Sequence, residues 1–307
     1  MSDNSDTLQH EFVNVNGIRM HYVTMEDGGG SSDFSLIVFL HGFPEFWYSW
    51  RHQIPYFAKH FKVVAPDMRG YGETEKPREI SEYRIDKLVR DIIELIHSLG
   101  KEKAIIVGND WGGIIGWSIA MIAPSVVEKL IIMNAPHPAL YQKNAFKNLL
   151  QMQKSWYVFF FLLQKVPEKV LSSNNFALLK HMFESSIKRK DKFTQSNIEN
   201  YISSWRKEGC AGIAGGINYY RANLNAEFWE NLGESIPFPK IKTPTLLIWG
   251  EDDIFFEKEL TENTKEFIEA PFSLKLITGC GHWVQQEAPD EVNQIMHEFL
   301  NIQNQIK

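Results

Sequence analysis

The sequence predicts an α/β protein: a mostly parallel, doubly wound sheet with a helical lid inserted between two of its core strands. Three observations predict it. Short, predominantly apolar runs at residues 36–40, 61–65, 104–107 and 245–249 have the composition of strands buried on both faces. Segments of helical periodicity alternate with these runs, the pattern of β-α-β crossovers. From about residue 138 to 239 the chain turns helical and aromatic-rich, without strand-like runs, before the sheet pattern resumes at residue 245. The core is therefore read as residues 1–139 and 240–307, with 140–239 as a lid, since long insertions commonly cover active sites. The plainer alternative is a helical subdomain that only adds core volume.

Taken in order, residues 12–23 alternate around Asn16-Gly17, a strong hairpin signal. A Gly/Ser-rich loop at 28–33 leads into the run 36–40, and the run 61–65 stops at Pro66-Asp67. Residues 83–99 read as an amphipathic helix, with Ile85, Leu88, Val89, Ile92, Ile93, Leu95 and Ile96 on one broad face and Gly100 closing it. A strand and helix meet at 108–113, and a further strand covers 129–133. After the insertion come strands at 245–249 and 273–277 and a closing helix over 291–300.

Bulk properties narrow the function. A 307-residue chain that is 44% apolar and 23% charged is globular and long enough for one large domain with an insertion. A net charge of −6 with a pI near 6.0 gives no electrostatic case for nucleic acid or an anionic membrane. Cys210 and Cys280, far apart, suggest a reducing compartment and not a disulfide framework. The polar N-terminus has no signal-peptide core, and the longest apolar stretch, 156–163, is too short to span a bilayer. A cytoplasmic protein, free to associate peripherally with membrane, is the expectation.

The chemistry concentrates at Gly108-Asn109-Asp110-Trp111-Gly112-Gly113. Small residues flank one side chain at a sharp strand-to-helix turn, the layout of a nucleophile elbow. An Asn-Asp helix cap is the plainer alternative. Asp110 stands where such elbows usually carry serine. Serine attacking a saturated carbon would form an inert ether, whereas a carboxylate forms an ester that water can cleave. An aspartate elbow thus points to an epoxide or an alkyl halide.

A second step needs a base, and Gly281-His282-Trp283 follows the last strand in the order nucleophile, acid, histidine. Neutral imidazole is available near physiological pH. Glu251, Asp252 and Asp253, after strand 245–249, compete as its orienting carboxylate. Asn134, after the preceding strand, cannot serve. An oxyanion would be met by the backbone N–H of Trp111 and by that of Phe43, in His41-Gly42-Phe43-Pro44-Glu45. His41 is read as support for that loop.

These motifs, with Asp67-Met68-Arg69-Gly70-Tyr71-Gly72, resemble in order and spacing the epoxide hydrolases of the α/β-hydrolase superfamily. The resemblance covers the chain from Phe12 onward and is nearest to the animal membrane-anchored branch, without that branch's N-terminal anchor. It implies an α/β-hydrolase fold, Asp253 as the acid, a cis Phe43–Pro44 peptide, and a substrate pocket that includes His41, Pro44, Tyr219 and Trp283. It also implies two lid tyrosines on the epoxide oxygen. Asn218-Tyr219-Tyr220-Arg221 puts one at Tyr220. Ser155-Trp156-Tyr157-Val158 puts the other at Tyr157 by a looser match, since Phe161-Leu162 replaces the family's Phe-Gln pair. The chemistry agrees, because an opening epoxide leaves an alkoxide that needs a proton donor opposite the nucleophile. A phenol, with its ordinary pKa about 10, suits that task.

The reading is therefore an epoxide hydrolase acting on a small-molecule, apolar, lipid-like or aromatic epoxide. No cofactor and no metal are implied, no nucleic acid, and a monomer or weak homodimer. Two alternatives stand beside it: a haloalkane or haloacid dehalogenase, which shares the Asp-Trp elbow, and a non-catalytic ligand-binding homologue.

Overall fold

The computed structural model describes residues 8–25, 34–144, 149–224, 228, 230 and 238–302, without the side chains of Gly209 and Cys210. The Gly/Ser-rich loop and the Cys210 side chain therefore lie outside what it describes. Among the described residues, eight strands form one sheet in the order β1-β2-β4-β3-β5-β6-β7-β8. They are β1 (Leu8–Val15), β2 (Ile18–Met25), β3 (Leu36–Leu40), β4 (Lys62–Pro66), β5 (Ala104–Asn109), β6 (Val127–Met133), β7 (Thr245–Gly250) and β8 (Phe272–Ile277). β2 is antiparallel to both of its neighbours, and every other pairing is parallel. The β1–β2 turn places Asn16 at φ 43° and Gly17 at φ 77°. Positive φ at both central residues is what a two-residue hairpin of this twist demands.

The central strands are buried throughout, so their side chains divide between two apolar layers. Leu36, Val38 and Leu40 point to one layer with helices α2 (Ile85–Ser98) and α3 (Trp111–Ile122), after α1 (Gln53–Phe57). Ile37 and Phe39 point to the other, with α1 and the C-terminal helix. Between β6 and β7 lie α4 (Pro138–Asn144), α5 (Leu149–Lys154), α6 (Trp156–Leu162), α7 (Val166–Ser186), α8 (Gln195–Arg206) and α9 (Ala211–Asn223). α7 is broken where Asn174, Asn175 and Phe176 all take positive φ. The chain closes with α10 (Val284–Glu287) and α11 (Pro289–Leu300). No described helix is long and apolar enough to cross a membrane.

Parallel strands end at the same edge of a sheet, so the loops after β3, β5, β7 and β8 converge there. This is the general location of sites in open α/β folds.

Candidate active site

Asp110 caps α3 at φ 52° and ψ −123°, a backbone region that non-glycine residues seldom occupy. Glycine makes the turn feasible, since a Cβ on Gly112 would lie 2.1 Å from the Leu40 carbonyl oxygen. A Cβ on Gly42 would lie 2.4 Å from Asp110 Cβ, so glycine there lets the loop after β3 close over the carboxylate. Within that loop the Phe43 N–H donates to Asp110 Oδ1 at 3.0 Å, next to a cis Phe43–Pro44 peptide.

Asp253, after β7, and His282, after β8, complete the cluster. His282 Nδ1 lies 2.7 Å from Asp253 Oδ2, and Nε2 lies 3.4 Å from Asp110 Oδ2. Both side chains are buried, which forces every polar atom to find a partner. Asp253 accepts from the Phe255 and Phe256 N–H groups at 2.7 and 3.1 Å and from Asn134 Nδ2 at 2.7 Å. Burial alone would raise its pKa, but His282 and these donors hold it below the ordinary carboxylate value. For His282, burial opposes protonation, yet the two carboxylates outweigh it and push the pKa up to about 10. The imidazole is thus charged at neutral pH while Asp110 carries its charge.

Tyr157, on α6, and Tyr220, on α9, face this cluster with ring centroids 6.0 Å apart and planes at 87°. Burial first, and then neighbouring acidic groups that include Asp110, drive both phenol pKa values well above 10.0. Both remain proton donors at any physiological pH. The Trp111 and Tyr220 rings meet edge to face, with centroids 5.1 Å apart and planes at 88°.

Asp110, Tyr157 and Tyr220 line two cavities. One, of about 410 Å³, is walled by apolar groups such as Trp111, Ile114, Met121, Phe238 and Phe256. The other, of about 30 Å³, lies on the imidazole side among Phe43, Pro44, Phe183, His282 and Trp283. A water needs roughly 10–15 Å³ by this measure, so the small chamber holds one or two.

Two residues expected in the substrate pocket line neither cavity. His41 is turned into the loop, where Nε2 accepts from the Met68 N–H at 3.0 Å and Nδ1 bonds the Gly42 carbonyl at 2.9 Å. Burial lowers its pKa to about 4, which keeps it neutral. The Tyr219 hydroxyl donates to the Arg69 carbonyl at 2.8 Å, away from the cavities. Both rings brace the walls and do not face the ligand space. Pro44 and Trp283 do line the small chamber.

Three further groups shape the site in roles that the sequence did not assign them. Asn134, at φ 42°, bonds Asp253 and also accepts from the Gly250 N–H at 3.0 Å, tying two strand ends together. Arg221 reaches from α9 to the Phe161 and Leu163 carbonyls at the end of α6 and to Glu168 on α7. Glu45 is buried and accepts from Ser49, Gln286 and the Gly42 N–H. Burial outweighs these donors and raises its pKa to about 7. Only Asn134 carried a signal, its position just past a buried strand. Among the described residues no group of three or more His, Cys, Asp or Glu side chains is arranged to hold a metal ion.

A sheet edge presenting a carboxylate elbow, a second acid and a histidine defines a hydrolase of the α/β class. The α/β hydrolase fold family matches residues 35–289. The chain is 40% identical over 299 residues to human epoxide hydrolase 4, covering 95% of this chain and 78% of that one. It is 37% identical to epoxide hydrolase 1 of Caenorhabditis elegans over 94% of this chain and 70% of that one. The crystal structure of Bacillus megaterium epoxide hydrolase in complex with an inhibitor superposes with a TM-score of 0.86 at 33% identity, covering 95% of this chain and all of that one. The chain belongs to the α/β-hydrolase family and, within it, to the epoxide hydrolases.

Proposed function

We propose that the chain hydrolyses an apolar epoxide to a vicinal diol through an ester on Asp110, with residues 140–239 as the lid over the site. One observation carries this reading: a carboxylate faces two protonated phenols across an apolar cavity, with an imidazole 3.4 Å behind it.

In the first step an Asp110 oxygen attacks one epoxide carbon from the side opposite its C–O bond. That bond breaks toward oxygen, and the alkoxide takes a proton from Tyr157 or Tyr220. Forming the ester removes the Asp110 charge, which helps to hold the phenol protons and to raise the His282 pKa. Its loss eases both protons away as they are needed, and the imidazolium proton replaces the one the phenol gave. In the second step neutral His282, oriented by Asp253, takes a proton from a water in the small chamber. The water oxygen attacks the ester carbonyl carbon, and the Phe43 and Trp111 N–H groups receive the oxyanion. Collapse releases the diol alkoxide, which takes the proton from His282, and Asp110 returns with one oxygen from water.

The 410 Å³ chamber, bounded by Ile114, Met121 and Phe256, suits one apolar arm of the substrate. A departing halide needs no proton, so dehalogenation would leave two buried phenols without a task. Pro44 and Trp283 fit as walls of the small chamber.

The test uses His282→Gln, which keeps step one and blocks step two. Incubated with a styrene-type epoxide, the variant gains the full mass of the epoxide on the peptide containing Asp110. No adduct with any epoxide, or an adduct only from a haloalkane, overturns the reading.

A further inference from the structure

The whole-chain charge of −6 conceals a local excess of the opposite sign. Residues 139–170 contain Lys143, Lys147, Lys154, Lys165 and Lys169 against one acid, Glu168, so five positive charges less one negative leave +4. Lys147 lies outside the described residues, Lys154 pairs with Glu257, and Glu168 is taken up by Arg221.

The same stretch presents apolar side chains outward. Leu149 is 75% exposed, Met152 40%, Trp156 52%, Phe159 47%, Leu163 51% and Val166 46%. Trp156, Phe159 and Leu163, three and four residues apart, follow one face of α6 and its C-cap, with Leu149 and Met152 three apart on α5 and Val166 opening α7. The opposite face of α6, with Tyr157, Val158 and Phe161, is buried. α6 is therefore apolar on both sides, and the exposed apolar side chains of α5 and the start of α7 extend its outward side.

We propose that the outward face of α5, α6 and the start of α7 docks on a bilayer containing anionic phospholipid. Each part of the face matches that surface. Tryptophan favours the headgroup level, lysines extend their chains to reach anionic headgroups, and aliphatic side chains enter the acyl boundary. Basic segments are drawn to anionic leaflets. A second copy of the chain fits less well, because it would bring the exposed Lys165 and Lys169 of both copies together, and lysine is depleted at protein–protein interfaces. Docked this way, α6 stands between the lipid and the catalytic cavities, with Trp156 on one side and Tyr157 on the other.

The test is flotation of the full chain with vesicles of phosphatidylcholine alone and of phosphatidylcholine with phosphatidylserine. The chain should float with the anionic vesicles and dissociate as salt is raised. Lys165→Glu with Lys169→Glu should weaken that partition by at least roughly fivefold per lysine. Trp156→Ser with Leu163→Ser should abolish it, while turnover of a water-soluble epoxide stays near the parent value. Absence of flotation, or charge variants that bind like the parent, overturns the proposal. So does sedimentation showing a dimer that the serine variants dissociate, which would make the face an interface between copies.

Discussion

The two halves of the site are held by different means. Asp110, Asp253 and His282 sit at the ends of β5, β7 and β8, and Asn134 at the end of β6 between them. Their relative positions follow from parallel strand register and from buried hydrogen bonds of 2.7–3.1 Å to Asp253. Tyr157 and Tyr220 ride on helices joined by aromatic edge-to-face contacts and by the Arg221 bridge from α9 to α6. The nucleophile, its base and the orienting acid are fixed by strand ends and buried hydrogen bonds, and the proton donors that must fit a variable ligand are fixed by side-chain packing. The first half should respond to substitution nearly all or none, and the second in graded steps.

The largest effect should fall on the sheet side. Asp110→Ala should reduce diol formation by about 10⁴-fold or more, the scale on which removal of a catalytic-triad member acts. Asp110→Ser should be no better, because its product with an epoxide would be an ether. Turnover of purified variant protein, free of parent enzyme, measures both. Residual activity within a hundredfold of the parent would break the comparison, since the nucleophile would then be replaceable.

The lid side should lose activity in stages. Tyr157→Phe and Tyr220→Phe should each slow ring opening, with about 10²–10³ as the upper guide for one oriented donor. The double variant should be nearly silent. Hydrolysis of the ester should change little, because the Phe43 and Trp111 N–H groups receive that oxyanion and the phenols do not. Rapid-mixing kinetics separates the two steps. If Tyr157→Phe leaves alkylation untouched while Tyr220→Phe cripples it, the donor pair is wrong and the graded picture fails.

The same division explains what could be read from the sequence. Strand 36–40 and the elbow were legible because continuous burial and glycine spacing leave local signatures, and the observed β3 (Leu36–Leu40) begins and ends where the apolar run does. Asp253 was one of three adjacent acids, separable only by the resemblance, because its partners Asn134 and Phe255 come from bonds that the spacing does not encode. Tyr219 was expected at the ligand, yet its ring points to the Arg69 carbonyl. Which of two neighbouring tyrosines faces a cavity depends on the rotation of α9 against the loop at 68–71, and no local pattern fixes that rotation. The Arg221 bridge was invisible for the same reason. The local +4 of residues 139–170, by contrast, was in the sequence all along, hidden by an average over 307 residues.

The smallest effect sharpens the comparison through pH. His41 braces the sheet-side loop only while neutral, because Nε2 must accept from the Met68 N–H. Burial has lowered its pKa from 6.5 to about 4. Between those values the unfolded chain binds a proton that the folded chain excludes, so stability rises with pH across this window and falls as pH drops through it. From pH 7 to pH 5 the loss assigned to His41 alone is at most about 2 kcal/mol. His52 and His137 are also lowered, to about 4 and about 3, so the parent's total loss mixes several groups. The informative quantity is the difference between parent and His41→Gln, whose side-chain oxygen can still accept from Met68 without titrating. Denaturant unfolding at both pH values should show the variant losing less stability on acidification, even if it is the weaker protein at pH 7. Equal losses would mean that His41 contributes nothing to the acid limb, and the loop over Asp110 would then owe its position to Glu45 and Gly42 alone.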